Sequence, residues 1–433
     1  MADIAEIVLC PRCRGEMNWE GNDLSCDCGW RLELSNGFFK MKDEIDGEAS
    51  YAEFYTEEYY NSDLYDYTGY RLNRILSFAR AEEGRRILDL GCGPGELAVR
   101  CAKRGSEVYG IDVSKDALRL SAERSAREGV VVNLFEFDGE NVPFKDAVFD
   151  SIILSDVVEH VEDDTLNLLL RESARLLRPE GRLIIHTSPT KNIIDLTKML
   201  KILSLGMMDL HSRLINPDYE FLHVRYHSMR SLRRLLKKNM LHPVIWGEVQ
   251  YLSDSKLVKI LGRLGLGEIF SDQLWCVALK GRGSLKKIRS NKPYLSLMEP
   301  KSEIDLGKCA DLYINYGFYH SESDSFRWTM KGCSLFINVP EDRDRLEIEL
   351  HTSNPDVVED PLLIDLYLGN RKISRFSLSD MDIKVFRFDI DEEMAPGMTE
   401  LRLEVDRTFV PKELGMNNDP RELGVAIYRV SIL

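Results

Sequence analysis

Three aspartates set beside glycines carry the first chemistry in this 433-residue chain. Asp89 sits in the apolar run "ILDL" and leads into "GCGPGE", where Gly91 and Gly93 let the backbone turn sharply and approach a bulky ligand. Asp112 ends the next apolar run, "VYGID", a position from which a carboxylate accepts hydrogen bonds from the paired hydroxyls of a ribose. Asp138 and Gly139 close a third run, "VVNLFEFDGE", within reach of an adenine amino group. The spacing is not the G-x-G-x-x-G of a dinucleotide site, and no Lys-Ser/Thr follows as in a phosphate-cradling loop. A nucleotide-like ligand taken by its sugar and base is what this pattern predicts.

A second chemistry lies in the thiols. Four of the nine cysteines, Cys10, Cys13, Cys26 and Cys28, fall within the first 28 residues. Where no secretion leader is read, such a local cluster suggests metal before disulfides. Cys10-x-x-Cys13 lets two thiolates point at one ion, and four thiolates make the closed tetrahedral site of a structural zinc. Cys26-x-Cys28 is one residue shorter than the usual pair. The alternative is a small hairpin with reduced thiols, although so short a segment buries little apolar surface to hold itself together.

The elements that position these residues follow from hydrophobic period. "RRILDLG", "EVYGIDVS", "VVNLFEFDGE", "FDSIILSD" and "RLIIHTS" read as strands, separated by the helices "GELAVRCAKRG", "KDALRLSAERSAREG" and "TLNLLLRESARLLRPEG". Gly105 and Gly129 stand just past two helix ends. Strands and helices in alternation predict an α/β fold with a doubly wound parallel sheet. Ligands bind such sheets beyond the carboxyl ends of the strands, which is where "DLGCGPGE" falls.

These segments together resemble the class I S-adenosylmethionine-dependent methyltransferases, over roughly residues 50–282. The resemblance continues in "FDSIILSDVVEHVED", in "LLRPEGRLIIHTS", in the late helix "HVRYHSMRSLRRLLKKNML" and in a final strand at "DQLWCVALKG". It implies a Rossmann-like domain in which Asp89, Gly91 and Gly93 surround the methionine part of the cofactor and Asp112 holds its ribose. Val113 then packs on the adenine, Asp138 and Gly139 read the adenine edge, and Ser155 lines the floor.

Transfer to a hydroxyl needs a group that takes its proton. His160, in "VVEHVED", ranks first and His223 second, with His227 close by in "YEFLHVRYHS"; each has a structural role as its alternative. Glu159 is expected to turn toward solvent or the cofactor's ammonium end. No Asp/His/Glu cluster near the sheet has metal-ligand spacing, which predicts a metal-independent transfer. The insertion "NIIDLTKMLKILSLGMMDLHSRLINP" reads as a lid or a surface for a lipid-linked substrate, or else as a packing helix. The tyrosine-rich "YAEFYTEEYYNSDLYDYTGYRLNRIL" reads as a cover over the cofactor or as an ordinary amphipathic helix.

Four regions emerge: a zinc-ribbon-like segment at 1–45, the methyltransferase domain at 50–282, a polar linker at 283–302, and an all-β module at 303–433. Short alternating segments such as "RLEIEL", "LLIDLYL" and "ELRLEV" predict a β-sandwich in the last of these. "FRWT" and "DPRELGVAI" resemble sandwich modules of cell-surface polysaccharide enzymes. There Tyr316, Tyr319 and Trp328 are aromatics that could stack on sugars, with core as the better reading of Trp328. The N-terminal segment resembles the zinc ribbons that precede some methyltransferase domains, those of ribosomal RNA enzymes included.

The net charge of −15 opposes a chain that grips nucleic acid over its whole surface. The charge is uneven: residues 225–292 hold 15 Lys/Arg against 4 Asp/Glu, and residues 301–433 hold 16 against 26. No run is long enough to span a bilayer, and a cytoplasmic location is the default expectation. Three functions follow in order. The first is O-methylation of a saccharide or surface-glycan precursor, free or lipid-linked. The second is RNA methylation using the zinc ribbon, and the third a non-catalytic binding scaffold.

Overall fold

The computed structural model describes residues 4–40, 69–136, 142–204, 223–248, 271–281, 293–307, 310, 313–319, 325–390 and 396–433. Asp138 and Gly139 lie outside the described residues, as do most of the tyrosine-rich stretch and the second half of the insertion. Two compact units form, one reaching Ser296 and the other combining residues 68–77 with 297–433.

The first unit opens with four short strands, β1 (Asn18–Glu20), β2 (Asp23–Ser25), β3 (Arg31–Ser35) and β4 (Phe38–Lys40). Helix α1 (Gly69–Phe78) falls mostly to the second unit. Then come β5 (Arg86–Leu90), α2 (Glu96–Lys103), β6 (Glu107–Asp112), α3 (Lys115–Arg127), β7 (Asn133–Glu136) and β8 (Phe149–Ser155). After these follow α4 (Asp163–Leu176), β9 (Leu177–Thr187), α5 (Lys191–Leu203), α6 (Met229–Lys238), β10 (Leu241–Glu248) and β11 (Gln273–Lys280).

The strands make one sheet in the order β1-β2-β3-β4-β7-β6-β5-β8-β9-β11-β10. From β7 to β9 all pairings are parallel, as the alternation predicts, while β11 and β10 add antiparallel strands at one flank. Because β6 lies on one side of β5 and β8 on the other, the strand order reverses at β5 and opens a crevice at its carboxyl end. Gly105 and Gly129 take φ of 85° and 67° just past α2 and α3, and Ser114 caps α3 by accepting the Ala117 N–H at 3.2 Å. An aromatic core of Tyr109, Phe135, Phe144 and Phe149 stiffens the sheet from within, with edge-to-face centroid separations of 5.1 to 5.5 Å.

Two features depart from the sequence reading. The N-terminal strands extend the main sheet: β4 pairs parallel to β7 at Phe39 and Phe135, whose rings stack at 4.9 Å. The stretch after the linker's first half is also packed, with Tyr294 buried 5.4 Å from the Trp246 ring.

The second unit is all-β. Its strands are β12 (Glu303–Asp305), β13 (Ile314–Phe318), β14 (Arg327–Val339), β15 (Arg345–His351), β16 (Leu362–Leu368), β17 (Arg371–Leu378), β18 (Lys384–Asp389), β19 (Gly397–Val405) and β20 (Ala426–Ile432). All pairings are antiparallel, and the long β14 joins β20 at one end and β19 at the other. Phe376 of β17 meets Phe386 and Phe388 of β18 at 4.4 and 5.0 Å. Trp328 is half-buried against Phe326 and His351, whereas Tyr316 is exposed. Among the described residues no helix is long and apolar enough to cross a membrane.

Candidate active site and cysteine cluster

The loop after β5 is shaped by glycines that no other residue could replace cheaply. Gly91, Gly93 and Gly95 take left-handed φ of 80°, 52° and 77°. A methyl group on Gly91 would lie 2.5 Å from Val157 Cγ2, so the glycine also lets the loop after β8 close down. The N–H groups of Gly91 and Cys92 both donate to the Ile111 carbonyl, at 2.8 and 3.0 Å, which ties the loop to the end of β6.

That tie brings Asp112 under the loop. Its Oδ2 accepts the Gly93 N–H at 2.8 Å and its Oδ1 the Ser114 N–H at 2.9 Å. Burial pushes the Asp112 carboxyl up, and these amides pull it down. Asp89 is buried beside it, and its Oδ2 has no hydrogen-bond partner. Burial, and then the charge of Asp112, push the Asp89 carboxyl up to about 7. Val113, next along, is 36% exposed, unusual for a valine at the end of a core strand. Ser155 ends β8 half-buried, with its hydroxyl donating to Asp156 Oδ2 at 3.1 Å.

The loop from Asp156 to His160 forms the opposite rim. Asp156 has φ of 55°, and its Oδ1 lies 2.8 Å from Nδ1 of the buried His186. Nε2 of that histidine is 3.4 Å from Gln273 Oε1. Glu159 does not turn to solvent: it is 1% exposed, and its Oε2 has no partner. Burial, and then the charge of Asp156, push its carboxyl up to about 8.

His160 and His223 come together, with ring centroids 4.9 Å apart. The segment carrying His223 is laced to the rim, since the Arg225 N–H donates to the Glu159 carbonyl at 3.1 Å. His227 is instead buried inside the lacing, with Nε2 3.1 Å from the Val158 carbonyl oxygen. It holds the backbone and does not face the rim.

Three groups were missed from the sequence: Glu136, Asp156 and His186. Glu136 is buried beside Asp112 in register, with Oε2 unpartnered and Oε1 3.7 Å from Lys115 Nζ. A polar residue within the apolar "RLIIHTS" was the available signal for His186. A carboxylate at the tail of "NLFE" was the signal for Glu136.

The four N-terminal cysteines converge, with all four Sγ atoms within 4.8 Å of one another. Cys10 and Cys28 are 3.6 Å apart, and Cys13 and Cys26 are 3.5 Å apart. Two tight turns place them: Arg14 N–H donates to the Cys10 carbonyl, and Gly29 N–H to the Cys26 carbonyl. Gly15 lies where a side chain would crowd the sulfurs, since a methyl group there would sit 3.2 and 3.3 Å from those of Cys13 and Cys26. Its N–H reaches Cys13 Sγ at 3.4 Å. Arg14 anchors the turn to the main sheet region by donating to the Val142 and Phe144 carbonyls at 3.1 and 3.3 Å.

The parallel sheet, its reversed strand order and the glycine loop against Asp112 form a Rossmann-like crevice, and residues 88–185, from β5 through β9, match the family model described as "Methyltransferase domain". The chain thus carries a methyltransferase domain. Among curated proteins, a ubiquinone biosynthesis O-methyltransferase of Alkalilimnicola ehrlichii is 37% identical over 125 residues, which is 29% of this chain and 50% of that protein. The protein of the same name in Vibrio vulnificus is 30% identical over 155 residues, 34% of this chain and 65% of that one. The chain therefore spans between half and about two thirds of the length of these relatives. Solved structures with some likeness include the YcgJ protein of Bacillus subtilis, at TM-score 0.37 and 20% identity over 50% of this chain and 100% of that one. Another is the Haemonchus contortus phosphoethanolamine N-methyltransferase 2 with S-adenosyl-L-methionine, at TM-score 0.36 and 18% identity over 53% and 56%.

Proposed function

We propose that the chain is an S-adenosylmethionine-dependent methyltransferase that methylates a hydroxyl, with a saccharide as the acceptor class. The observation that carries the cofactor reading is the Asp112 carboxylate, fixed by the Gly93 and Ser114 amides under a left-handed glycine loop. Both oxygens keep a lone pair for the ribose hydroxyls. Asp89, buried with an oxygen unpartnered, suits a cationic ammonium that would restore its charge. Gly91 and Gly93 leave backbone room for the methionine part, Val113 offers the adenine an apolar face, and Ser155 lines the floor. Asp138 and Gly139 are assigned the adenine edge.

S-adenosylmethionine supplies an electrophilic methyl group on sulfur, so the protein must align the acceptor oxygen and relieve it of its proton. We assign that proton to His160, with His223 beside it as the second choice. The identity of the curated relatives as O-methyltransferases supports an oxygen acceptor. The saccharide rests on the all-β unit at 303–433, which we take as a sandwich appended to the methyltransferase domain of 50–282.

Cys10, Cys13, Cys26 and Cys28 are assigned a structural zinc. Four thiolates about 2.3 Å from a tetrahedral ion stand about 3.8 Å from one another, and the observed sulfur separations of 3.5 and 3.6 Å fit that cage.

The test offers the full chain methyl-tritiated cofactor with pooled surface oligosaccharides, their lipid-linked precursors, or total RNA. Label entering saccharide supports the assignment. Label entering RNA alone overturns the acceptor class, and failure to bind S-adenosylmethionine favours the scaffold reading.

A further inference from the structure

Helix α6 carries a charge pattern that its own stability does not explain. Arg230, Arg233, Arg234, Lys237 and Lys238 are all exposed and recur at helical spacing, so they form one basic stripe opposite the buried Leu232 and Leu236. The helix has no acidic residue, and among the described residues none of the five cations has an ion-pair partner. Like charges three and four residues apart disfavour the helix, and Arg230 in the first turn also opposes the helix dipole. Only Lys237 and Lys238, in the last turn, are favoured there. A concentrated positive stripe on a chain of net charge −15 calls for an anionic surface outside the protein.

Helix α5 indicates which surface. Its first turns are buried through Ile193, Ile194 and Thr197, but its last turn exposes Met199 at 49%, Ile202 at 75% and Leu203 at 72%. Lys198 and Lys201 are exposed among them. The two helices start side by side: Thr190 and Ser228, which cap them, line one small cavity, and the Lys191 N–H donates to the His227 carbonyl at 3.0 Å. From that shared start α5 runs about 20 Å to its exposed apolar end. Apolar side chains among lysines gain by entering the acyl boundary of a bilayer, and a nucleic acid would leave them wet.

We propose that α6 and the last turn of α5 form a docking face for an anionic lipid bilayer. The inference is independent of the methyl-transfer reading. The test is co-sedimentation of the full chain with sucrose-loaded vesicles of phosphatidylcholine alone, or with 30% phosphatidylglycerol. Far-ultraviolet circular dichroism and the Tm of the same samples serve as the check on folding. Sedimentation is expected only with the anionic vesicles. It should fall about 20-fold in Arg233→Glu/Lys237→Glu and several-fold in Ile202→Ser/Leu203→Ser, whose charge is unchanged. Equal sedimentation with neutral vesicles, none with anionic ones, or full retention by the charge-reversed variant would overturn it. So would transfer RNA that binds in a stripe-dependent way while vesicles do not.

Discussion

The sheet rim and the cysteine cluster both crowd groups that repel one another when ionised, yet they hold them by different means. At the rim, Asp89 and Asp112 are buried in the sheet, and Asp112 is matched by two backbone amides that the glycine loop delivers. The surrounding core fixes that geometry before any ligand arrives. In the cysteine cluster Cys10 and Cys26 are buried but Cys13 and Cys28 are exposed, and two short turns, one tied to the domain by Arg14, bring the four sulfurs together. A rim built this way is preorganised for the cofactor proposed for it, whereas a cluster built this way would lean on the proposed zinc.

The sharpest separation should come from removing the proposed zinc. Chelation, or Cys10→Ser/Cys13→Ser, is expected to lower the Tm by about 10 °C and to expose residues 4–40 to hydrogen exchange, with cofactor affinity largely kept. Loss of both together would erase the contrast. At the rim, Gly91→Val meets Val157 and a left-handed backbone at once. Denaturant unfolding should register about 2–4 kcal/mol, and calorimetry a loss of cofactor binding.

A smaller effect is expected from Glu159. Its folded-state carboxyl is raised to about 8 from an ordinary 4.5, so the native chain holds a proton that the unfolded chain has released across that window. Stability must then decline as pH rises from about 4.5 to about 8. Glu159→Gln should flatten that decline by about 2 kcal/mol, read from denaturation at pH 6 and pH 9. An unchanged slope would mean that the acid is better solvated than its burial implies. The smallest effect is set for Val113→Ala, a few-fold loss of cofactor affinity from about 0.8 kcal/mol per methylene removed.

Much of this fold was legible because local signals agreed with the global answer. Continuous apolar runs marked β5, β6 and β8, and glycines marked the ends of α2 and α3. The glycine loop and Asp112 were found because chemistry and turn geometry demand the same residues. What escaped was settled by pairing across long sequence separations. Strand β10 has no plain signature in the sequence, because Pro243 argues against a strand there; the chain tolerates it because β10 ends the strand order of the sheet. The joining of the N-terminal strands to the sheet rests on Phe39 meeting Phe135, a contact with no local signature. Asp156 and His186 meet across neighbouring strand ends, so no spacing along the chain announces the pair. The burial of Glu159 likewise depends on the segment around Arg225 folding back over the loop.

The direct test of the rim is titration calorimetry of S-adenosylmethionine into the native chain and Asp112→Asn at pH 7.5. Micromolar binding to the native chain, weakened about 100-fold in a variant that stays folded, is the predicted result. That variant should melt a few degrees lower, because the asparagine NH2 group faces one of the two backbone N–H donors. Equal affinity in the two proteins would contradict the account.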